Sequence, residues 1–178
     1  MILFLRNNLI TQQRRLKLTG FSKKQRRIMT LEKTFVMLKP STVARAMAGK
    51  VISRIEDKGL KIVAMKLTRV TYEKAAKLYA IHKGKPFYDA LVEFITSSPI
   101  VALVVEGDEA VKVVRKIIGA TNAKEAEAGT IRGDFALSNQ KNAVHASDSV
   151  DNAKYEMSIF FAPEEILSYM RADENWIY

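Results

Sequence analysis

The 178-residue chain contains no cysteine. That excludes disulfides, a thiolate metal site and a cysteine nucleophile, and it fits a reducing compartment. Histidine is scarce as well: there are two, His82 and His145. No apolar run approaches the ~20 residues that a membrane helix requires, and the opening "MILFL" is far too short to span a bilayer. The usual glycine-rich phosphate cradles, G-x-x-x-x-G-K-[ST] and G-x-G-x-x-G, are absent. Any polyphosphate would therefore be held by side chains. Neither H-E-x-x-H nor a cysteine–histidine spacing occurs, so no zinc site is indicated.

Acidic residues are missing from one stretch only. Residues 1–28 hold Arg6, Arg14, Arg15, Lys17, Lys23, Lys24, Arg26 and Arg27 and no Asp or Glu. The chain carries 29 basic and 19 acidic residues, a net of +10, so the part after residue 28 has 21 basic against 19 acidic residues and is close to neutral. The charge belongs to a tail, which weakens a nucleic-acid reading of the whole. Such a tail suits a basic arm for polyanions, an Arg-rich presequence, or an upstream extension ahead of Met29. The last is favoured, because the periodic pattern starts only after it. This divides the chain into a basic extension, 1–30, and one domain, 31–178, long enough for a proper core.

Within that domain "KTFVMLKP" reads as a buried strand stopped by Pro40. A helix follows over 41–58, with Ser41 or Thr42 as N-cap and Gly59 as stop. "LKIVAMKLTRV" is a second strand. Two short helices come next, the second opened by Pro86. "PIVALVVEG" is the most apolar run and reads as a central strand buried on both faces. "DEAVKVVRKIIG" is a capped helix. A long irregular stretch leads to a last strand near Ile131–Leu137, and helical pieces broken at Pro163 close the chain. This order predicts an α/β (α+β) fold, a ferredoxin-like βαββαβ antiparallel four-stranded sheet with surrounding helices, with a doubly wound sheet as the alternative.

Long loops and strand ends are where a rigid sheet presents chemistry. Lys39 ends the first strand, Arg115 lies one turn before the loop that carries Thr121 and Arg132, and Asn142 and His145 follow. Together these are good donors for a polyphosphate, since the arginine fork takes two oxygens at once. Singly, each has a plainer reading: Lys39 as a solvated strand end, Arg115 as an exposed helix residue, Arg132 as a partner for Asp134. His82, beside Lys83 near a helix end, reads as a solvated residue or dipole partner. His145 is different. It sits among small polar residues, with Ser147 and Asp148 beside it and Glu156 eleven positions on.

"TFVMLKP", "GTIRGDF", "NAVHASDS" and the closing "NWIY" resemble nucleoside diphosphate kinase over residues 31–178. "NAVHASDS" is similar to that family's N-x-x-H-G-S-D signature, with Ala146 where glycine is usual, a change expected to be tolerated. The resemblance implies a ping-pong transfer of the γ-phosphate of a nucleoside triphosphate, typically ATP, to a nucleoside diphosphate through a phosphohistidine at His145. It implies Nδ1 as nucleophile, Glu156 as the carboxylate holding the other N–H, and Ser147 as support for Glu156. Lys39 corresponds to a lysine touching the transferring phosphate and the ribose 3′-hydroxyl, and Tyr79 to a tyrosine packed near lysine and histidine. Asn142 corresponds to the ribose ligand, Arg115, Thr121 and Arg132 to phosphate ligands, and Phe87 to the base-stacking aromatic with Leu91 beside it. Asn139 and Gln140 lie near the presumed base edge, and Lys85 stands where arginine is frequent.

The family likeness further implies Mg²⁺ carried in on the β- and γ-phosphates, a homo-oligomer (hexamer or tetramer), no membrane partner and a cytoplasmic location. Nucleic-acid contact through the tail is the less favoured option, and a binding protein on the same fold is the second reading of the whole. A chain beginning at Met29 is expected to keep its phosphotransfer rate and its melting temperature. Thermal denaturation and a coupled assay check this, and a marked loss of stability would show the tail packed on the body.

Overall fold

The computed structural model describes residues 30–177. The expectations for residues 1–28 and Met29 lie outside them. Strands β1 (Leu31–Leu38) and β3 (Ile100–Asp108) pair along their whole lengths at the centre of one sheet. Strand β2 (Lys61–Thr68) flanks β3, and β4 (Val144–Ala146) flanks β1, giving the order β2-β3-β1-β4 with every pair antiparallel. With helices between the strands this is the ferredoxin-like βαββαβ arrangement, not a doubly wound sheet.

Period-two alternation on the central strands creates two cores, one on each face. Phe35, Met37, Ala102 and Val104 face helices α3 (Tyr72–Leu78), α4 (Tyr88–Thr96) and α7 (Val150–Phe160). Val36, Leu38, Leu103 and Val105 face α2 (Ala48–Asp57) and α5 (Ala110–Ile118). Because both faces are covered, β1 and β3 read as near-continuous apolar runs, as expected for "PIVALVVEG". The alternation continues into β4: Val144 and Ala146 join the second core. His145 between them points to the first face, its ring centroid 6.1 Å from that of Phe35.

Two local expectations are corrected. The single helix over 41–58 is two pieces, α1 (Pro40–Ala44) and α2, because Ala46 adopts φ 53 and breaks the run. Neither Ser41 nor Thr42 is its N-cap. Lys39 holds that position with Pro40 as the first helical residue, where the missing N–H costs nothing. The hydroxyl of Thr42 instead donates to Ala143 O at 2.6 Å.

The second correction concerns the last strand. Residues Ile131–Phe135 form a short helix, α6, whose N-cap Thr130 accepts from the Gly133 N–H at 3.1 Å. Ile131 and Phe135 are four apart, which fits a helical turn as readily as a strand, and the cap decides the matter. The last strand is β4, three residues of the signature itself. A short helix, α8 (Glu174–Ile177), ends the described chain.

Gly133 is required where it stands, since a Cβ there would run into the backbone of Ala126 and Glu127. Gly133→Ala is expected to cost about 1–3 kcal/mol through overpacking, read as a fall of roughly 2–4 °C in Tm per kcal/mol. An unchanged Tm would show that the 119–130 loop simply gives way.

Candidate active site

His145 owes its position to β4, where it pairs opposite Met37 at the edge of the sheet. Helix α7 then crosses that face. Ser149 caps it by accepting from the Asn152 N–H at 3.2 Å, and its inward side is Ala153, Glu156, Met157 and Phe160, the i, i+3, i+4, i+7 stripe of a packed helix. Glu156 is the one charged member of that stripe. Its Oε2 lies 2.9 Å from His145 Nε2 and accepts the Ser147 hydroxyl at 2.6 Å. A carboxylate only accepts, so Nε2 carries the proton and Nδ1 keeps its lone pair. Nδ1 has no hydrogen bond among the described residues. Tyr79 meets the ring edge-on, centroids 6.0 Å apart.

A second group is built around a turn. Val144 N–H donates to Asn142 O at 2.8 Å across Ala143, whose φ is 68. That is a γ-turn with its central residue in the left-handed region, a strained conformation for alanine. It persists because Ala143 O is held twice, by the Lys39 N–H at 2.9 Å and by Thr42. The turn places Asn142 beside Lys39, whose Nζ lies 2.6 Å from Asn142 Oδ1. Asn142 Nδ2 in turn donates to Thr121 O at 2.9 Å.

Arg132 comes from α6. Its guanidinium donates to Gly119 O and to Val144 O, each at 2.9 Å, while the buried Nε has no partner. Arg115 reaches the same space from the exposed side of α5. Burial, with Arg132 nearby, lowers Lys39 to about 7. Arg132 is itself lowered to about 10 by burial and by Arg115. The Tyr79 hydroxyl is pushed up, chiefly by burial and secondarily by Glu156. Cations crowded together with their carboxylate neighbours already engaged are short of negative charge, which is the electrostatic signature of an anion site.

Ten of the residues singled out from the sequence, Lys39, Tyr79, Phe87, Leu91, Arg115, Thr121, Arg132, Asn142, His145 and Glu156, line one cleft of about 610 Å³. Phe87 stands half-exposed at the start of α4 with Leu91 one turn on. The alanine of the signature causes no crowding at the imidazole, because the Ala146 methyl points into the opposite core.

His82 also lines the cleft. It stacks on Tyr79 with centroids 6.2 Å apart and meets Phe87 edge-on at 5.4 Å. Nothing in "AIHKGK" announces this, since the 3₁₀ turn that aims it is an irregular element. Lys85 Nζ sits 3.2 Å from His82 Nδ1 and 5.8 Å from the Phe87 ring centroid, so it packs against two residues of this wall. Asp148 is on the cleft wall too, its Oδ1 accepting from Asn152 Nδ2 at 2.6 Å. That bond first, and Arg115 among lesser causes, keeps its carboxyl below the usual range.

Residues 32–166 match the family model of nucleoside diphosphate kinase. The chain is 56% identical over 148 residues to the nucleoside diphosphate kinase of Archaeoglobus fulgidus, covering 83% of this chain and 98% of that one. It is 58% identical over 139 residues to the enzyme of Kosmotoga olearia, covering 78% and 95%. Among solved structures, the halophilic nucleoside diphosphate kinase of Halobacterium salinarum in complex with CDP superposes with a TM-score of 0.81 at 44% identity, over 83% of this chain and 98% of that chain.

Lys39 yields a pH prediction. It titrates near 7 when folded, against 10.5 ordinarily. Between those values the unfolded chain holds a proton that the folded chain has released, so stability rises with pH from about 7 to 10.5. Lys39→Met is expected to raise the unfolding free energy of the nucleotide-free protein at pH 7 by about 1–3 kcal/mol, because it removes a buried cation. The gain should shrink toward pH 10. Denaturant titrations at the two pH values check this, and equal stabilities at pH 7 would show that the lysine is solvated.

Proposed function

The chain belongs to the nucleoside diphosphate kinase family of phosphotransferases, and we propose that in it His145 is the side chain that carries the phosphoryl group. Its substrates are nucleoside di- and triphosphates. The observation that carries the residue assignment is the contact of His145 Nε2 with Glu156 Oε2 at 2.9 Å, which leaves Nδ1 free and facing a cleft lined by Lys39, Arg115 and Arg132.

The Nδ1 lone pair attacks the γ-phosphorus. An N–P bond forms, the bond from phosphorus to the β–γ bridging oxygen breaks, and the diphosphate leaves with the bonding pair. The Nε2 proton stays in place, and Glu156 stabilises the positive charge that develops on the ring. In the second half a terminal oxygen of another diphosphate attacks the phosphorus and the N–P bond breaks. Arg132, pinned by two backbone carbonyls, lends its charge to the phosphates, joined by Arg115 and the Thr121 hydroxyl. Lys39 and Asn142, already hydrogen-bonded together, are placed to share a ribose hydroxyl and an oxygen of the transferring phosphate. Phe87 and Leu91 offer an apolar face to the base, which suits any base because each has a π-face.

A divalent cation is general to this chemistry, and Mg²⁺ is the ion proposed here. No group of three His, Cys, Asp or Glu among the described residues converges on a metal, so the residues fit an ion that would be held mainly by the nucleotide, with Asp148 a carboxylate on the cleft wall. Such an ion supplies charge neutralisation on the β- and γ-oxygens.

The kinase unit is taken as 31–178, in keeping with β1 starting at Leu31 and the family match at residue 32. Assembly as a hexamer or tetramer is part of the reading, supported by Met65 and Leu67, which are 57% and 67% exposed on edge strand β2. No helix among the described residues is long and apolar enough to cross a membrane, and cytoplasmic residence is proposed on the solubility of the substrates.

His145→Ala is expected to lower transfer from ATP to a second diphosphate by more than a thousandfold, the usual consequence of deleting a nucleophile, while diphosphate binding survives. Incubation of the parent protein with labelled ATP should give an acid-labile, base-stable adduct that the variant lacks. Glu156→Gln should slow transfer by about 10–100-fold, through loss of the orienting charge. Retention of the adduct by His145→Ala would overturn the assignment.

A further inference from the structure

The loop before β4 crosses the mouth of the cleft, and Gln140 has its side chain on the far wall. Its Nε2 donates to Ala90 O, inside α4, at 2.8 Å. Ala90 O can only accept, so the contact demands the amide nitrogen. The backbone of Gln140 faces the other way, its carbonyl accepting from Lys39 Nζ at 3.3 Å. One residue therefore joins the helix that carries Phe87 and Leu91 to the lysine beside the phosphate cations. Ala90 and Gln140 both line the cleft, and Gln140 makes the side-chain bond that ties this loop to α4 among the described residues.

We propose that Gln140 is a positioning residue that latches the 138–141 loop to α4 across the base end of the cleft, fixing the width of the slot in which the nucleoside lies and slowing nucleotide departure. This rests on the functional reading above. The bond to Ala90 O is made to the protein backbone, so the latch itself is the same whichever nucleoside is bound. Glutamine has the reach for this role, and asparagine, one methylene shorter, does not.

The test uses the full-length protein and the variants Gln140→Ala and Gln140→Asn. Dissociation of fluorescently labelled ADP is followed by stopped flow, and steady-state transfer from ATP is measured for GDP, CDP and UDP. Loss of one hydrogen bond corresponds to a three- to tenfold effect, roughly. The dissociation rate and the KM for each diphosphate should rise by that factor in both variants, with kcat within about twofold and Tm unchanged. A latch that only stiffened the fold would lower Tm and leave the KM-against-kcat split flat. Unchanged dissociation in Gln140→Ala, full rescue by Gln140→Asn, or a KM rise confined to one base would each overturn the proposal, the last pointing to base readout. A parent protein that neither binds ADP nor forms the phosphohistidine would sink the functional reading itself, whereas a competent parent matched by its variants sinks the latch alone.

Discussion

One carboxylate oxygen constrains the chemistry of the whole cleft. Glu156 Oε2 takes both the Ser147 hydroxyl and the His145 ring, so the imidazole can be neither rotated nor tautomerised without breaking a partly buried bond. The arrangement depends on register in two elements at once. In β4 a slip of one residue would turn His145 into the opposite core and bring out Val144 or Ala146. In α7 the Ser149 cap sets the start of the helix, and from there Glu156 falls on the inward stripe between Ala153 and Phe160. A shift of one would put Tyr155 or Met157 against the ring. The sheet, the cap and the helix face thus converge on a single oxygen atom.

Next to this ordered pair stands a region held against its own preferences. Lys39 is desolvated, Arg132 is buried with an unpaired Nε, and Ala143 occupies a left-handed conformation. Each feature costs stability in the empty protein. They are sustained by the fully covered β1 and β3, whose apolar faces supply the burial that an edge site lacks. On the proposed assignment, an incoming polyphosphate relieves two of the three strains directly, because it brings the negative charge that the lysine and the arginines do not find in the protein. Binding and stability then draw on the same interactions.

Much of this was legible in the sequence because the informative residues are local. "TFVML" and "PIVALVV" are long enough as apolar runs to declare buried strands, and Lys39 lies at a strand end, where a sheet displays chemistry. The failures share a physical cause. Ile131–Phe135 is five residues long, too short for period two and period 3.6 to separate, and only the Thr130 cap distinguishes them. The strand β4 has three residues and no period at all. Thr42 looked like a cap because a threonine before an apolar run commonly is one, but Ala143 O claims its hydroxyl across 101 positions of sequence. His82 reads in the sequence as a solvated residue or dipole partner for the same reason: Tyr79 and Phe87 come to lie against it only once an irregular turn has folded.

Burial is graded along the cleft. Lys39, Arg132 and Asn142 are 7%, 4% and 2% exposed, whereas Phe87 is 50% exposed. Hydrogen bonds and charges act strongly where water is excluded and weakly where it is not. On the proposed assignment, discrimination concentrates at the end that would meet phosphate and ribose, the parts common to all nucleotides. The half-exposed end would meet the base chiefly with stacking area. A ping-pong transferase needs this gradient, since the same cleft must release one nucleoside and accept a different one between its two half-reactions. Tight recognition of a base would favour one of the two partners and trap it. Tight recognition of the phosphates does not, because the phosphoryl group remains on the histidine while the nucleotides exchange.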